Sequence, residues 1–122
     1  MKLTKTLPYS RPERLAEQLK EILASACLLE LSDSRLDGVM VTKVIATKDL
    51  RQARVYFHML EATKRKIEKA IHGFVSASGY LKRVVGKNMN LKYVPEMKFF
   101  YDDSFDEMDR ITQLMNSVEA HP

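Results

Sequence analysis

The chain has one cysteine, four glycines, three histidines and no long apolar run. A single thiol, Cys27, excludes an intrachain disulfide framework and fits a reducing, cytoplasmic setting. No apolar stretch nears the roughly 20 residues that span a bilayer, so no membrane contact is expected. The opening segment, residues 1–8, has two lysines but no apolar run behind them, which argues against a signal peptide. Gly38, Gly73, Gly79 and Gly86 are too scattered for a phosphate-cradling loop. His58, His72 and His121 lack metal-ligand spacing, and no serine or cysteine has a convincing base partner. The acids Asp102, Asp103, Asp106, Glu107 and Asp109 lack the glycine and distal glutamate of a calcium loop. Nothing here points to an enzyme, a cofactor or a metal.

What remains is one small α+β domain. Ser10 with Glu13 forms a capping box, and Pro12 suits a first turn. The helix they open buries Leu15, Leu19, Ile22, Leu23 and Ala26, with Cys27 or Leu29 at its end. Polar breakers at 32–34 and Asp37-Gly38 stop it. Val39–Thr47 and Arg51–Leu60 read as two strands of an antiparallel hairpin turning at 48–50. In the second, Ala53, Val55, Phe57 and Met59 share one face; Arg54, Tyr56 and His58 take the other.

A long amphipathic segment follows from Lys64, with Thr63 as its cap. Ile67, Ile71, Phe74, Ser78, Leu81 and Val85 recur at helical spacing; Arg65, Lys69, Ser76, Tyr80, Arg83 and Lys87 lie opposite. Ala77-Ser78-Gly79 interrupts it, and a mid-helix glycine costs about 1 kcal/mol against alanine. A kink is expected there. Leu91–Tyr101 is a third strand, placed at an edge or bulge by Pro95. Ser104 and Glu107 make a second capping box before a helix that buries Phe105, Met108, Ile111, Leu114 and Met115. The expected order is α-β-β-α-kink-α-β-α, a three-stranded sheet with helices on one face, over 10–117. A short arm (1–9) and a tail (118–122) flank it.

Charge is unevenly spread. Residues 61–95 carry net +6 and residues 96–122 net −5, against +4 overall. No acid lies between Glu68 and Glu96. Concentrated positive potential is the footprint of a polyanion site, RNA first. Lys64, Arg65 and Lys66 sit at a helix start, where amides, dipole and cations can hold a phosphate, although a solvated basic turn also explains them. Arg51 and Arg54, on the strand before, are expected to add to that site. Lys69, Lys82, Arg83, Lys87 and Lys92 extend the surface, with Ser78 and Gly79 at the kink and Arg11 and Arg14 on the first helix. Roughly five phosphate contacts on single-stranded RNA would give a log–log salt slope of about −3.5. Tyr56, Tyr80 and Tyr93 could stack on bases or simply pack.

The order and spacing of these motifs resemble the ribosome-binding factor A family. The matching stretches are residues 10–19, Val41–Val44 through Asp49–Tyr56, Ser78–Arg83, Leu91–Phe99 and Asp102–Ser104. The resemblance implies a KH-like domain of type II topology, in which Ala77-Ser78-Gly79 stands where other KH domains carry a Gly-X-X-Gly loop. It implies binding to the free immature 30S subunit through 16S rRNA, and help with late maturation, including the rRNA 5′ end. It further implies cold adaptation, other assembly factors such as GTPases as partners, and a monomer. Two alternatives stay open. One is a general KH-like single-strand RNA binder. The other is an interaction module docking through the acidic last helix.

Overall fold

The structure, a computed structural model, describes residues 10–119; the arm at 1–9 and positions 120–122 of the tail lie outside them. Helix α1 (Arg11–Leu29) opens on the expected capping box. The Ser10 amide donates to Glu13 Oε1 at 2.8 Å, and the Glu13 amide to Ser10 Oγ at 3.3 Å. Its buried stripe is Ala16, Leu19, Leu23 and Ala26, with Leu15, Ile22 and Cys27 half-buried beside it. Leu29 is 74% exposed and takes no part in the core. Burial pushes the Cys27 thiol up to about 11, which keeps it protonated and unreactive near neutral pH.

Strands β1 (Met40–Ala46) and β2 (Gln52–His58) form the antiparallel hairpin, with a bulge between Val41 and Lys43. The Leu50 amide closes the turn on the Thr47 carbonyl at 2.9 Å. Strand β3 (Glu96–Tyr101) pairs parallel with β2, so the sheet order is β1-β2-β3 and β2 is central. Pro95 falls just outside the ladder, and residues 91–95 approach the strand without joining it. The edge position is therefore as expected, with a shorter strand. Ala53, Val55, Phe57 and Met59 are all buried toward the helices. Their neighbour His58 is not on a solvated face: it is 2% exposed. The ring stacks on Tyr101 at 5.8 Å, and its Nδ1 lies 3.2 Å from the Tyr101 hydroxyl. Tyr101 also donates to Asp106 Oδ1 at 2.6 Å, so the chain leaving β3 folds over this corner.

Helix α2 (Lys64–Asn88) is continuous. Thr63 caps it, its hydroxyl accepting from the Lys66 amide at 3.1 Å. The helix runs unbroken through Ala77-Ser78-Gly79, so one continuous element stands where two helix halves were expected. Ser78 turns its hydroxyl back to the Val75 carbonyl at 2.8 Å. Close helix packing occurs instead at Gly73, where a Cβ would lie 3.1 Å from Leu36 Cγ. Leu36, in a 3-10 turn (Ser34–Leu36) capped by Asp33, is a buried residue between the two breaker segments that the sequence did not place in the core. A Cβ at Gly79 would meet nothing within 4 Å. Gly79→Ala is therefore expected to stabilise the domain by about 1 kcal/mol through helix propensity alone. Its melting temperature should rise by about 4 °C; an unchanged or lower value would mean that Gly79 holds a conformation alanine cannot adopt.

After β3, Asp102 caps a 3-10 turn (Asp103–Phe105) within which Ser104, the expected helix cap, is placed. It accepts from the Ser104 amide (3.0 Å) and hydroxyl (2.6 Å), and from Thr42 Oγ1 across the sheet at 2.7 Å. These bonds hold its carboxyl below the usual carboxylate range, against the opposing effect of burial. Helix α3 (Asp106–Glu119) follows a 3-10 turn. Ile111, Leu114 and Met115, expected in the core, are 49%, 64% and 59% exposed. The side chains of Phe105 and Met108 lie outside the described residues. Among the described residues, α1 and α2 build the helical layer, α1 against β1 and α2 against β3. The result is an α+β domain of KH-like topology.

Candidate nucleic-acid interface

The cationic residues divide according to how α2 lies. At 1.5 Å per residue its 25 residues run about 38 Å. Its core-facing stripe buries Phe74, Leu81 and Val85 and half-buries Ile67, Ile71 and Ser78. The opposite row is exposed at Arg65, Lys69, Ser76, Arg83 and Lys87, with Tyr80 half-buried. The predicted basic face thus exists as a continuous, solvent-facing ridge. Gly79 is exposed, while Ser78 is half-buried on the core-facing side.

The two ends of the ridge differ. At the start, Lys64, Arg65, Lys66 and Lys69 are all exposed. Thr63 already occupies the Lys66 amide. That leaves the Lys64 and Arg65 amides as the anion-facing pair at the positive end of the dipole. Lys66 and Lys69 also line an open cleft of about 330 Å³ with Arg35, Met59 and Leu60. Arg35 is committed to Asp33, its Nη2 2.6 Å from Oδ2, and that pairing holds the Asp33 carboxyl low. Asp37 lines the same cleft, so the Lys66 and Lys69 ammonium groups face one carboxylate there.

At the far end, Lys82 pairs with Glu96 of β3 and is only half-exposed. Arg83 lies over the Tyr80 ring at 5.8 Å, while the Tyr80 hydroxyl donates to Glu30, the C-cap of α1. Tyr93 is 61% exposed between two cations, Arg51 at 5.7 Å and Lys92 at 5.6 Å from its ring centroid. An exposed ring flanked by positive charge can take a base and its phosphates together.

Arg51 and Arg54 do not join the start of α2. Strand β2 runs from Gln52 to His58 before the chain turns into the helix, so Arg51 lies at the opposite end of the strand. At about 3.3 Å per residue that separation is roughly 20 Å. Arg54 points to the outer face of the sheet, in register with Ile45 and Lys98. Arg11 and Arg14 are exposed in the first turns of α1, beside β1 rather than on the α2 ridge. Two basic residues absent from the sequence-derived set, Lys43 and Lys98, share the outer face with Arg54. The period-two alternation of β1 and β3 was the signal that could have placed them. Among the described residues, no helix is long and apolar enough to cross a membrane.

Comparison with known proteins now bears on this surface. The family model described as Ribosome-binding factor A matches residues 11–115. Ribosome-binding factor A of Geobacter sulfurreducens is 33% identical over 112 residues, covering 92% of this chain and 94% of that protein. The solution NMR structure of a candidate ribosome binding factor A from Thermotoga maritima superposes with a TM-score of 0.70 at 29% identity. It covers 81% of this chain and 93% of its own. A Thermus thermophilus ribosome binding factor A homology model, fitted into a cryo-EM map of a 30S complex, gives a TM-score of 0.60 at 23% identity. It covers 72% of this chain and 91% of its own, and shows the shared fold.

Proposed function

Because the chain belongs to the ribosome-binding factor A family, we propose that it binds the free immature 30S subunit through 16S rRNA. In this reading it assists late maturation in the cytoplasm, including processing of the rRNA 5′ end, and then leaves. The observation that carries the reading is the exposed cationic ridge of α2, whose opposite face is anchored in the core. Phosphate contacts from such a ridge supply affinity and orientation without reading sequence. The Thermus protein of the same fold has been fitted into a map of a 30S complex, which supports the choice of subunit.

Purified protein is expected to co-sediment with free small subunits and not with complete ribosomes. Equal association with both would overturn the proposed preference. Comparable affinity for unrelated single-stranded RNA and for the subunit would instead support a general KH-like RNA binder.

A second reading keeps one observation of its own. Helix α3 exposes Ile111, Leu114 and Met115 among acidic residues, as a docking helix does. Binding that survives nuclease treatment and is lost with Asp103, Asp106 and Asp109 would favour a protein partner for this element.

A further inference from the structure

Away from the His58 corner, which Tyr101 and Asp106 close, the outer face of the sheet is uncovered among the described residues, and its composition exceeds what solvation requires. Two rows cross all three strands in register. One is Lys43–Tyr56–Phe100; the other is Ile45–Arg54–Lys98. In the first, Lys43 Nζ lies 4.7 Å from the Tyr56 ring centroid. The Tyr56 and Phe100 rings follow at 5.5 Å, tilted by 31°. Phe100 is 39% exposed and Ile45 44%.

In the second row two cations stand directly side by side, an arrangement that destabilises a sheet unless an anion relieves it. Neither Arg54 nor Lys98 makes an ion pair among the described residues. The one acid among the outward positions of β3, Glu96, is tied to Lys82. Asp102, two residues beyond Phe100, lies within the field of Lys43.

We propose that this face is a second RNA contact, on which unpaired bases stack against Phe100 and Tyr56 while Lys43, Arg54 and Lys98 hold the adjoining phosphates. The proposal rests on the ribosomal-RNA reading above. The two rows lie two residues apart along each strand, about 7 Å, which sets charge beside ring. A single-stranded RNA supplies both a π face and a phosphate at every nucleotide. An apolar protein surface would match the rings but would bury Arg54 and Lys98 unpaired, at a high desolvation cost. An acidic segment would match the cations and leave the rings without a stacking partner.

The test uses full-length protein and a short unstructured RNA oligonucleotide, with binding followed by anisotropy across a salt series. Phe100→Leu keeps an apolar side chain but removes the ring. It is expected to weaken binding roughly 5- to 150-fold, the range of one lost base stack. The salt slope should not change, because no charge is removed. The paired variant Arg54→Gln with Lys98→Gln should flatten the slope by about 1.4. Should Phe100→Leu lower stability, the wild-type protein cross-linked to 4-thiouridine RNA still decides the matter. Adducts on Tyr56 or Phe100 support the proposal, and adducts confined to α2 overturn it.

A Phe100→Leu protein that binds RNA normally, beside an α2 ridge variant that does not, overturns the sheet contact alone. Wild-type protein that binds the subunit but no RNA defeats the underlying reading instead. Subunit binding lost by Phe100→Leu with RNA binding intact would assign the face to a protein and also overturn the proposal.

Discussion

Phe74→Ala should cost about 3–5 kcal/mol of stability, the range for deleting a buried aromatic ring. Phe74 is 1% exposed and sits between two other rings. It stacks on Phe99 of β3 at 4.4 Å with planes 6° apart, and meets Phe57 of β2 at 5.1 Å. The side chain therefore joins α2 to both the central and the edge strand. Truncation removes two aromatic pairs, each worth about 0.5–1.5 kcal/mol beyond area, and leaves a cavity that rigid strands cannot close. Against a typical domain stability of about 5–15 kcal/mol, that is roughly a fifth of the total or more. Urea denaturation should show the midpoint falling with little change in slope. By contrast, Phe100→Leu on the outer face is expected to stay within about 0.5 kcal/mol of wild type. If the two variants lost similar stability, the assignment of inner and outer sheet faces would be wrong.

The contrast between Phe74 and Phe100 marks what was legible in the sequence. Helical spacing in α2 and alternation in β2 were read correctly because each repeats over several turns or residues. Phe74, Leu81 and Val85, and Ala53, Val55 and Phe57, are buried as the pattern requires. His58 breaks the alternation for a non-local reason: Tyr101 and Asp106, more than forty residues later, close over the strand end. Leu36 is a lone apolar residue among polar breakers, and only its contact with Gly73 makes it core. The apolar stripe of α3 shows the opposite failure. Periodicity says that a face prefers cover, not that the chain provides it. Ile111, Leu114 and Met115 remain exposed.

The candidate site divides in the same way. Counting charge located the basic segment, and helix periodicity put Arg65, Lys69, Arg83 and Lys87 on one ridge. Neither could show that Arg51 lies at the far end of β2, that Arg54 faces away with Lys98, or that Lys82 is paired with Glu96. Those facts depend on strand direction and on which helix covers which face.

Reversing charge at Arg65, Arg83 and Lys87 should abolish most subunit binding while leaving the fold intact. All three are exposed, so no core contact is lost. The helix dipole makes the stability changes nearly cancel. Glutamate in the first turn, replacing Arg65, gains about 0.3–1 kcal/mol, and glutamate in the last turn, replacing Lys87, loses a similar amount. Binding behaves differently, because contributions from phosphate contacts accumulate along the ridge. With roughly five contacts to single-stranded RNA the salt slope is about −3.5, and removing three leaves about −1.4. At 0.15 M salt that difference alone is roughly 50-fold in affinity, and repulsion from the new carboxylates adds to it. Sedimentation with free small subunits measures the loss; circular dichroism and thermal melting check the fold. The neutral triple Arg65→Gln, Arg83→Gln, Lys87→Gln should fall between wild type and the reversal. Unchanged co-sedimentation of the reversed variant would remove the α2 ridge from the interface and shift the weight of binding to the Arg51–Tyr93–Lys92 cluster and the open sheet face.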